Sequence, residues 1–221
     1  MDLSPYLQSM HPMPEPAGPI RTCLFDMGNV LLYFSHERMC RQISELCGRT
    51  ANDVRRLLFD TGLQLDFERG RLSESEFHRR FEAAAEVEID LAALRCAGSD
   101  IFELNEPLPA ILDALKRRGI RLVLLSNTSV AHFDWVREKF DVMDRFDAFV
   151  VSYEVGAAKP EPAIYEAALR TIGCPPSECF YTDDVAEYVD TGRRFGLQAE
   201  TFTGANALRR HLAARGIDSL V

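Results

Sequence analysis

Seven residues in four short segments of this sequence are of types that bind phosphate or a divalent cation. In the first segment, CLFDMGNVLLYF, a single carboxylate interrupts an apolar run. The seven are Asp26 and Gly28, Ser126 and Asn127, Lys159, and Asp183 and Asp184. An unpaired carboxylate removed from water costs far more free energy than local packing returns. Asp26 therefore requires partners from elsewhere in the chain or a position at the mouth of a cleft.

The chemistry that this set favours is phosphoryl transfer assisted by Mg²⁺. Carboxylate oxygens and a backbone carbonyl suit Mg²⁺, which usually takes one or two carboxylates together with substrate phosphate. Lys159 and the donors of Ser126 and Asn127 suit a dianionic phosphate. Asp26 is a candidate nucleophile, because carboxylates act in this way in aspartyl-phosphate chemistry. Each segment alone is more typical of a turn, a helix cap or a solvated loop, but the four together predict a site.

The elements that must position these residues are indicated by the apolar runs. Five strands are predicted, at 21–26, 121–127, 147–153, 178–183 and 197–202. Helices are predicted at 129–140, 160–172, 186–195 and 205–215. This alternation is typical of an α/β fold with a doubly wound parallel sheet, whose last strand lies near an edge. Because ligands bind outside the carboxyl ends of such strands, the four polar segments are predicted to share one rim.

A long segment between the first and second predicted strands shows only helical patterns. Helix starts are predicted at Ser35, at a capping box of Thr50 with Asp53, and at a second box of Ser73 with Glu76. The segment is too long for a crossover connection. We therefore predict an inserted small α-helical cap domain at 33–105, called the cap below. The sheet domain then comprises 20–32 and 106–221, and the proline-rich tail at 1–19 is expected to be disordered.

Composition limits the partners and the compartment. The formal net charge of −9 over 221 residues argues against a nucleic-acid partner, because phosphate backbones attract Lys and Arg. No apolar run reaches the ~20 residues of a membrane span, and the first residues do not resemble a signal peptide. The six cysteines include no Cys-x-x-Cys pair, so neither a zinc site nor a disulfide scaffold is predicted. We expect a cytoplasmic protein that binds a small molecule and neither nucleic acid nor membrane.

Four segments in order, FDMGNV, LLSNT, GAAKPEPAIY and FYTDD, resemble the motifs of the haloacid dehalogenase-like hydrolase superfamily. The resemblance covers nearly all of 20–210, and the cap stands where the family's first-type cap stands. FDMGNV and the cap segment FERGRLSESEF are similar to the branch that contains bacterial glucose-1-phosphate phosphatases. The resemblance implies a Rossmann-like core and attack of Asp26 on phosphorus.

The resemblance also implies the ligand sets. The phosphoryl oxygens would be held by Ser126 and Lys159, with Asn127 close by. Mg²⁺ would be bound by Asp26, the carbonyl of Gly28 and Asp184, with Asp183 in support.

Two positions depart from the family's usual pattern. Most of its phosphatases carry a second Asp two residues after the nucleophile as general acid and base, and this chain, like the GNV branch, has Gly28 there. The chain is therefore expected to favour esters whose leaving group departs easily, such as anomeric or aryl phosphates, unless His36 or Glu68 of the cap supplies a proton. The branch usually has Asn at the position of Tyr188, and a missing amide there would loosen the metal loop.

Three functions stay open on the sequence alone. We expect a Mg²⁺-dependent phosphatase that acts on a small phosphate ester, such as a sugar phosphate, through an aspartyl-phosphate intermediate. A metal-independent 2-haloacid dehalogenase is the enzymatic alternative, and the pair of Asp183 and Asp184 argues against it because carboxylates there are most useful with a cation. The third possibility is a catalytically impaired binding or regulatory protein, for which Tyr188 is the main support.

Overall fold

The structure, a computed structural model, describes residues 18–218. In this part the chain forms seven strands: β1 (Thr22–Phe25), β2 (Leu32–Phe34), β3 (Phe102–Leu104), β4 (Arg121–Ser126), β5 (Ala148–Val151), β6 (Cys179–Asp183) and β7 (Gln198–Thr201). The α-helices of the same part are α1 (His36–Cys47), α2 (Ala51–Arg55), α3 (Leu63–Glu68), α4 (Glu74–Ala85), α5 (Leu91–Ser99), α6 (Leu108–Arg117), α7 (Val130–Lys139), α8 (Ser152–Val155), α9 (Pro162–Thr171), α10 (Ala186–Arg194) and α11 (Ala205–Ala213).

Five strands form one parallel sheet in the order β5-β4-β1-β6-β7. The central strand is β1, whose Phe25 pairs with Leu124 of β4 and with Thr182 of β6. The chain order reverses on the two sides of β1, which makes the carboxyl end of this strand the switch point at which open α/β sheets bind ligands. The predicted doubly wound parallel sheet is confirmed, with β7 at its edge.

Successive residues of β1 point to opposite faces of the sheet and pack into two separate apolar clusters. Cys23 and Phe25 belong to the larger cluster, together with residues of α6, α7 and α11. Leu24 belongs to the smaller cluster, together with Ile164 of α9 and Val189 of α10. Helices therefore cover both faces, which explains why the central strands are near-continuous apolar runs.

Three of the inserted helices, α1, α2 and α4, begin as the capping patterns predict. The side chain of Ser35 accepts a backbone N–H in the first turn of α1. Thr50 with Asp53, and Ser73 with Glu76, each form a complete capping box. Apolar residues of α1, α4 and α5 belong to the larger cluster, so the cap and the sheet share one continuous core.

Two details differ from the prediction. The segment 33–105 is not wholly helical, because β2 and β3 at its ends pair as an antiparallel ribbon in which Tyr33 lies opposite Glu103. Strands of three residues are too short to show an alternating pattern. The strand predicted at 147–153 ends at Val151, and Ser152 begins the short helix α8.

The tail predicted at 1–19 falls, through residue 17, outside the described residues. The domain boundaries stay predictions, with 20–32 and 106–221 assigned to the sheet domain and 33–105 to the cap. None of the helices between residues 18 and 218 has the length and apolar character needed to span a bilayer.

Candidate active site

A cavity of about 250 Å³ opens at the carboxyl ends of β1, β4 and β6. Five of the seven predicted residues line it, namely Asp26, Gly28, Asn127, Lys159 and Asp184. The other two, Ser126 and Asp183, precede lining residues and are buried behind the wall, with 1% and 0% of their surface exposed. The structure therefore brings all four polar segments to one rim, as expected, and places two of the seven residues in its support rather than its wall.

Lys159 is the centre of the polar cluster. Its ammonium group has three hydrogens, and three acceptors surround them: Oδ1 of Asp26 at 2.7 Å, Oδ2 of Asp183 at 2.6 Å and the carbonyl oxygen of Leu125 at 3.0 Å. Burial opposes the charged form, but the carboxylates of Asp183 and Asp26 outweigh it and raise the pKa of Lys159. The ammonium therefore stays charged inside the protein.

Asp183 fixes the end of β6. Its Oδ2 accepts hydrogen bonds from Lys159 and from the hydroxyl of Tyr181 at 2.7 Å, while its Oδ1 accepts the backbone N–H of Val185 at 2.9 Å. A carboxylate with three donors can be buried completely. The turn that carries Asp184 is thereby held in place. The sequence gives no signal for Tyr181, which has the appearance of an ordinary buried strand residue.

The carboxylates of Asp26, Asp183 and Asp184 each offer one oxygen atom within 4.8 Å of the other two. Burial and the carboxylate of Asp183 raise the pKa of Asp26 to about 7, although Lys159 acts in the opposite direction. One ammonium thus pairs with two of these three acids, and a divalent cation would compensate the remaining negative charge. Hard oxygen ligands of this kind are those that Mg²⁺ takes, so the residues present fit this ion.

Both polar atoms of the Asn127 side chain bond to the backbone of Lys159. The amide nitrogen donates to the carbonyl oxygen of Lys159 at 3.0 Å, and the N–H of Lys159 donates to Oδ1 of Asn127 at 2.7 Å. This pair joins the end of β4 to the loop before α9. Asn127 thus positions Lys159 as well as lining the cavity. The hydroxyl of Ser126 lies 3.4 Å from the carbonyl oxygen of Asn127.

The second acid of the last motif is held by a residue to which sequence reasoning assigned no role. The side-chain amide of Asn29 donates to Oδ2 of Asp184 at 3.0 Å. Asn29 has a φ of 54°, in the left-handed region that Asn adopts more readily than most residues. The ring of Tyr188 lies 5.3 Å from Nζ of Lys159, within cation–π range. Asn29 therefore gives Asp184 an amide donor although position 188 has none, and its place in the GNV motif was the available signal.

Phe34 occupies the space beside Gly28. A Cβ atom at position 28 would lie only 2.8 Å from Cε1 of Phe34. The Phe34 ring is itself packed against His36 and Phe102, with centroid distances of 5.0 and 6.3 Å. A second aspartate at position 28 would therefore require the ring of Phe34 to move. Gly28 can offer a carbonyl oxygen to a metal but no proton to a leaving group.

The cap side of the cavity is fixed to the sheet domain at the end of α3. Glu68 lines the cavity, and its carbonyl oxygen accepts the hydroxyl of Ser152 at 2.5 Å. The same hydroxyl accepts the N–H of Thr128 at 2.9 Å. Next along the chain, Arg69 forms an ion pair with Glu161. These contacts attach the cap to the loops that follow β4 and precede α9.

The sequence of this site and its scaffold matches a known family. The family model of haloacid dehalogenase-like hydrolases matches residues 20–196, which include all four polar segments and the cap. The chain belongs to this haloacid dehalogenase-like hydrolase family. The predicted family and the predicted hydrolase class are thereby confirmed.

Two relatives of this haloacid dehalogenase-like hydrolase have names that state an activity. It is 26% identical over 195 residues to D-ribitol-5-phosphate phosphatase of Bacteroides thetaiotaomicron. The alignment covers 85% of this chain and 93% of the relative. It is also 26% identical over 191 residues to a phosphatase of Mycobacterium tuberculosis, and this alignment covers 81% of this chain and 86% of the relative.

A solved structure has the same architecture. It is a haloacid dehalogenase-family enzyme of Bacteroides thetaiotaomicron in complex with magnesium and inorganic phosphate. The two structures superpose with a TM-score of 0.75 at 25% sequence identity, over 84% of this chain and 96% of that one. The match therefore includes the sheet and most of the inserted helices.

Proposed function

We propose that this hydrolase is a Mg²⁺-dependent phosphatase that cleaves a small phosphate monoester, such as a sugar phosphate, through an aspartyl-phosphate intermediate. One observation carries the proposal: the carboxylates of Asp26, Asp183 and Asp184 lie within 4.8 Å of one another beside a buried ammonium group. The names of the two relatives support the reaction class. The related enzyme crystallised with magnesium and inorganic phosphate supports both ligands.

The metal ligands in this proposal are Asp26, the carbonyl oxygen of Gly28 and Asp184, with Asp183 in support. Bound there, Mg²⁺ would neutralise negative charge on the substrate and on the attacking carboxylate. Asp183 takes its supporting part by holding Lys159 and the turn at Val185.

In this proposal the phosphoryl group binds in the cavity at Lys159, with Asn127 close by, and Ser126 takes part from its position behind the wall at the end of β4. An oxygen of Asp26 attacks phosphorus, and the bond from phosphorus to the leaving oxygen breaks. Water then attacks the phosphorus of the aspartyl phosphate, the bond to Asp26 breaks, and inorganic phosphate leaves. The two steps replace one difficult displacement by two easier ones.

The wall of the cavity favours a substrate with a single anionic group. Lys159 is the one lysine or arginine among the described residues that line it. The remaining wall combines polar and acidic residues with apolar ones, among them Phe34, Ile101 and Phe102. A second phosphate or a carboxylate would therefore meet no cation there. A monophosphate of a compact neutral alcohol, such as a sugar or a polyol, fits this wall best.

The proposal is tested with a panel of phosphate esters assayed with Mg²⁺, after EDTA treatment and after Mg²⁺ is restored. We expect hydrolysis that disappears with the chelator and returns with the metal. Release of halide from a 2-haloacid, undiminished by EDTA, would instead establish the dehalogenase. Binding of esters without turnover of any of them would establish the impaired binding protein.

We also propose a cytoplasmic location. The six cysteines all lie within the described residues and are all free thiols, which suits a reducing compartment. Fractionation of the native cells followed by immunodetection would test this.

A further inference from the structure

Glu68 is the cap residue that brings a carboxyl group into the wall of the cavity containing Asp26. We propose that Glu68 is the general acid and base of the reaction, in place of the aspartate that is absent at position 28. This inference rests on the proposed phosphatase function and adds a catalytic residue to it.

The backbone of Glu68 is held firmly against the catalytic rim. Ser152 connects its carbonyl oxygen to the N–H of Thr128, two residues beyond β4. Two residues after Glu68, Gly70 lies close to the backbone of Tyr153. A Cβ atom on Gly70 would lie 2.0 Å from the carbonyl oxygen of Tyr153. A general acid must stay within hydrogen-bond reach of the atom that it protonates. These contacts give Glu68 a fixed position relative to the strand ends.

The carboxyl group of Glu68 is held at one oxygen only. Nε2 of Gln64, a residue that is 4% exposed, donates to Oε1 of Glu68 at 2.9 Å. The other carboxyl oxygen, Oε2, has no hydrogen-bond partner among residues 18–218. It is therefore available to a substrate in the cavity. Burial raises the pKa of Glu68, although the bond from Gln64 acts in the opposite direction. The group therefore carries a proton to higher pH than an exposed glutamate does.

The two histidines in the same wall are poorer sources of a proton. His36 lies between the rings of Phe34 and Phe59, with centroid distances of 5.0 and 4.7 Å, and burial lowers its pKa. Nε2 of His132 lies 3.0 Å from the carbonyl oxygen of Gly98, and burial lowers the pKa of His132 to about 4. Burial thus disfavours the charged form of both rings, and the Nε2 proton of His132 is already donated to that carbonyl.

The proton transfers balance over the two steps. As the oxygen of Asp26 bonds to phosphorus, the bond from phosphorus to the leaving oxygen breaks, and that oxygen takes the proton of the Glu68 carboxyl group. Glu68 is then a carboxylate. In the second step it takes a proton from the water that attacks phosphorus, and the bond from phosphorus to Asp26 breaks. The release of phosphate leaves Glu68 protonated for the next cycle.

The test compares two substrates that differ in their need for an acid. An alkyl phosphate such as glycerol phosphate has a poor leaving group, whereas the nitrophenolate of p-nitrophenyl phosphate departs without a proton. The quantity measured is kcat/KM, which reports the first irreversible step and so the departure of the leaving group. The variants are Glu68→Gln and the matched control Glu88→Gln, which changes an exposed glutamate of the same cap.

We expect Glu68→Gln to lower kcat/KM for the alkyl phosphate by ~10²–10⁴-fold and that for the nitrophenyl ester by less than about tenfold. Glu88→Gln should change neither. For the alkyl ester, the alkaline fall of the wild-type pH profile should be absent from Glu68→Gln. The other titratable groups that line the cavity are Asp26, His36, His132, Lys159, Asp184 and Tyr188, and the variant leaves all of them in place.

Three results would overturn the inference while the proposed function stood. One is an equal loss on both esters, which indicates a structural role, and another is no loss on either. A wild-type enzyme that hydrolyses aryl phosphates but no alkyl phosphate of the panel would also overturn it, because no acid is then at work. Absence of Mg²⁺-dependent hydrolysis of any ester by the wild type would overturn the proposed function itself.

Discussion

The ammonium nitrogen of Lys159 lies 2.7 Å from Oδ1 of Asp26, and the side chain of this lysine is 1% exposed. The same ammonium lies 2.6 Å from Oδ2 of Asp183. One buried positive charge thus holds the proposed nucleophile and its neighbour in place before any substrate binds. Removal of one partner from such a group leaves an uncompensated buried charge, which is costly even where the intact pair contributes little net stability.

Replacement of Lys159 by Met should therefore destabilise the protein as well as inactivate it. In metal-free buffer at pH 7 we expect the free energy of unfolding, measured with urea, to fall by about 3–5 kcal/mol. Lys116→Met is the matched control, since Lys116 pairs with Asp147 at 2.6 Å but is 40% exposed. Loss of that surface pair should lower the free energy of unfolding by less than about 1 kcal/mol. Equal losses in the two variants would show that the buried cluster does not depend on its ammonium group.

Replacement of Asn29 by Gly should weaken the binding of Mg²⁺. The change removes the amide that donates to Asp184 and keeps a residue for which the positive φ is easy. Loss of an outer hydrogen bond of this kind typically lowers metal affinity by ~10–100-fold. We expect the Mg²⁺ concentration for half-maximal activity to rise by that factor, with activity recovered at saturating metal. An unchanged Mg²⁺ requirement would mean that Asp184 is oriented by something else.

Replacement of Gly70 by Ala should disrupt the contact between the cap and α8 of the sheet domain. The new Cβ would lie 2.0 Å from the backbone oxygen of Tyr153, and Gly70 has a φ of +66°. Gly62→Ala is the matched control, because its φ is +77° and nothing lies within 4 Å of the added carbon. Both variants should lose about 1–2 kcal/mol of unfolding free energy from backbone strain, and Gly70→Ala should lose more because of its contact with Tyr153.

Only Gly70→Ala should also lose activity, because it moves the end of α3 that carries Glu68. The measurements are urea unfolding and kcat/KM on the best ester of the panel. Wild-type kcat/KM in a folded Gly70→Ala protein would contradict the role given to this contact.

The sheet and the rim could be predicted because their signals are local. Each buried strand is a short apolar run, and a polar residue at its carboxyl end is brought to the rim by the parallel topology alone. The helix starts at Ser35 and Ser73 were readable for the same reason, since a cap and its partner lie within one turn. The ribbon of β2 and β3 could not be predicted, because strands of three residues are too short to show an alternating hydrophobic pattern. Their pairing also joins residues that are far apart in the chain.

The support of the site was harder to predict than its wall. Tyr181 and Ser152 make decisive hydrogen bonds, but each of these depends on which side chains meet in three dimensions. Asn29 stands in the motif FDMGNV, but its partner Asp184 lies 155 residues further on. The approach of the Phe34 ring to position 28 is likewise a contact that sequence spacing does not encode.

The nucleophile is tested most directly by turnover of Asp26→Asn at saturating Mg²⁺. An amide has the shape of the carboxylate and can still accept the hydrogen bond from Lys159, but it cannot attack phosphorus. Asp184→Asn is the comparison, since loss of a metal ligand alone should be partly rescued by higher Mg²⁺. We predict that Asp26→Asn, folded by circular dichroism, shows no measurable hydrolysis at any Mg²⁺ concentration. Retention of even a tenth of wild-type activity would contradict the assignment of Asp26 as the nucleophile.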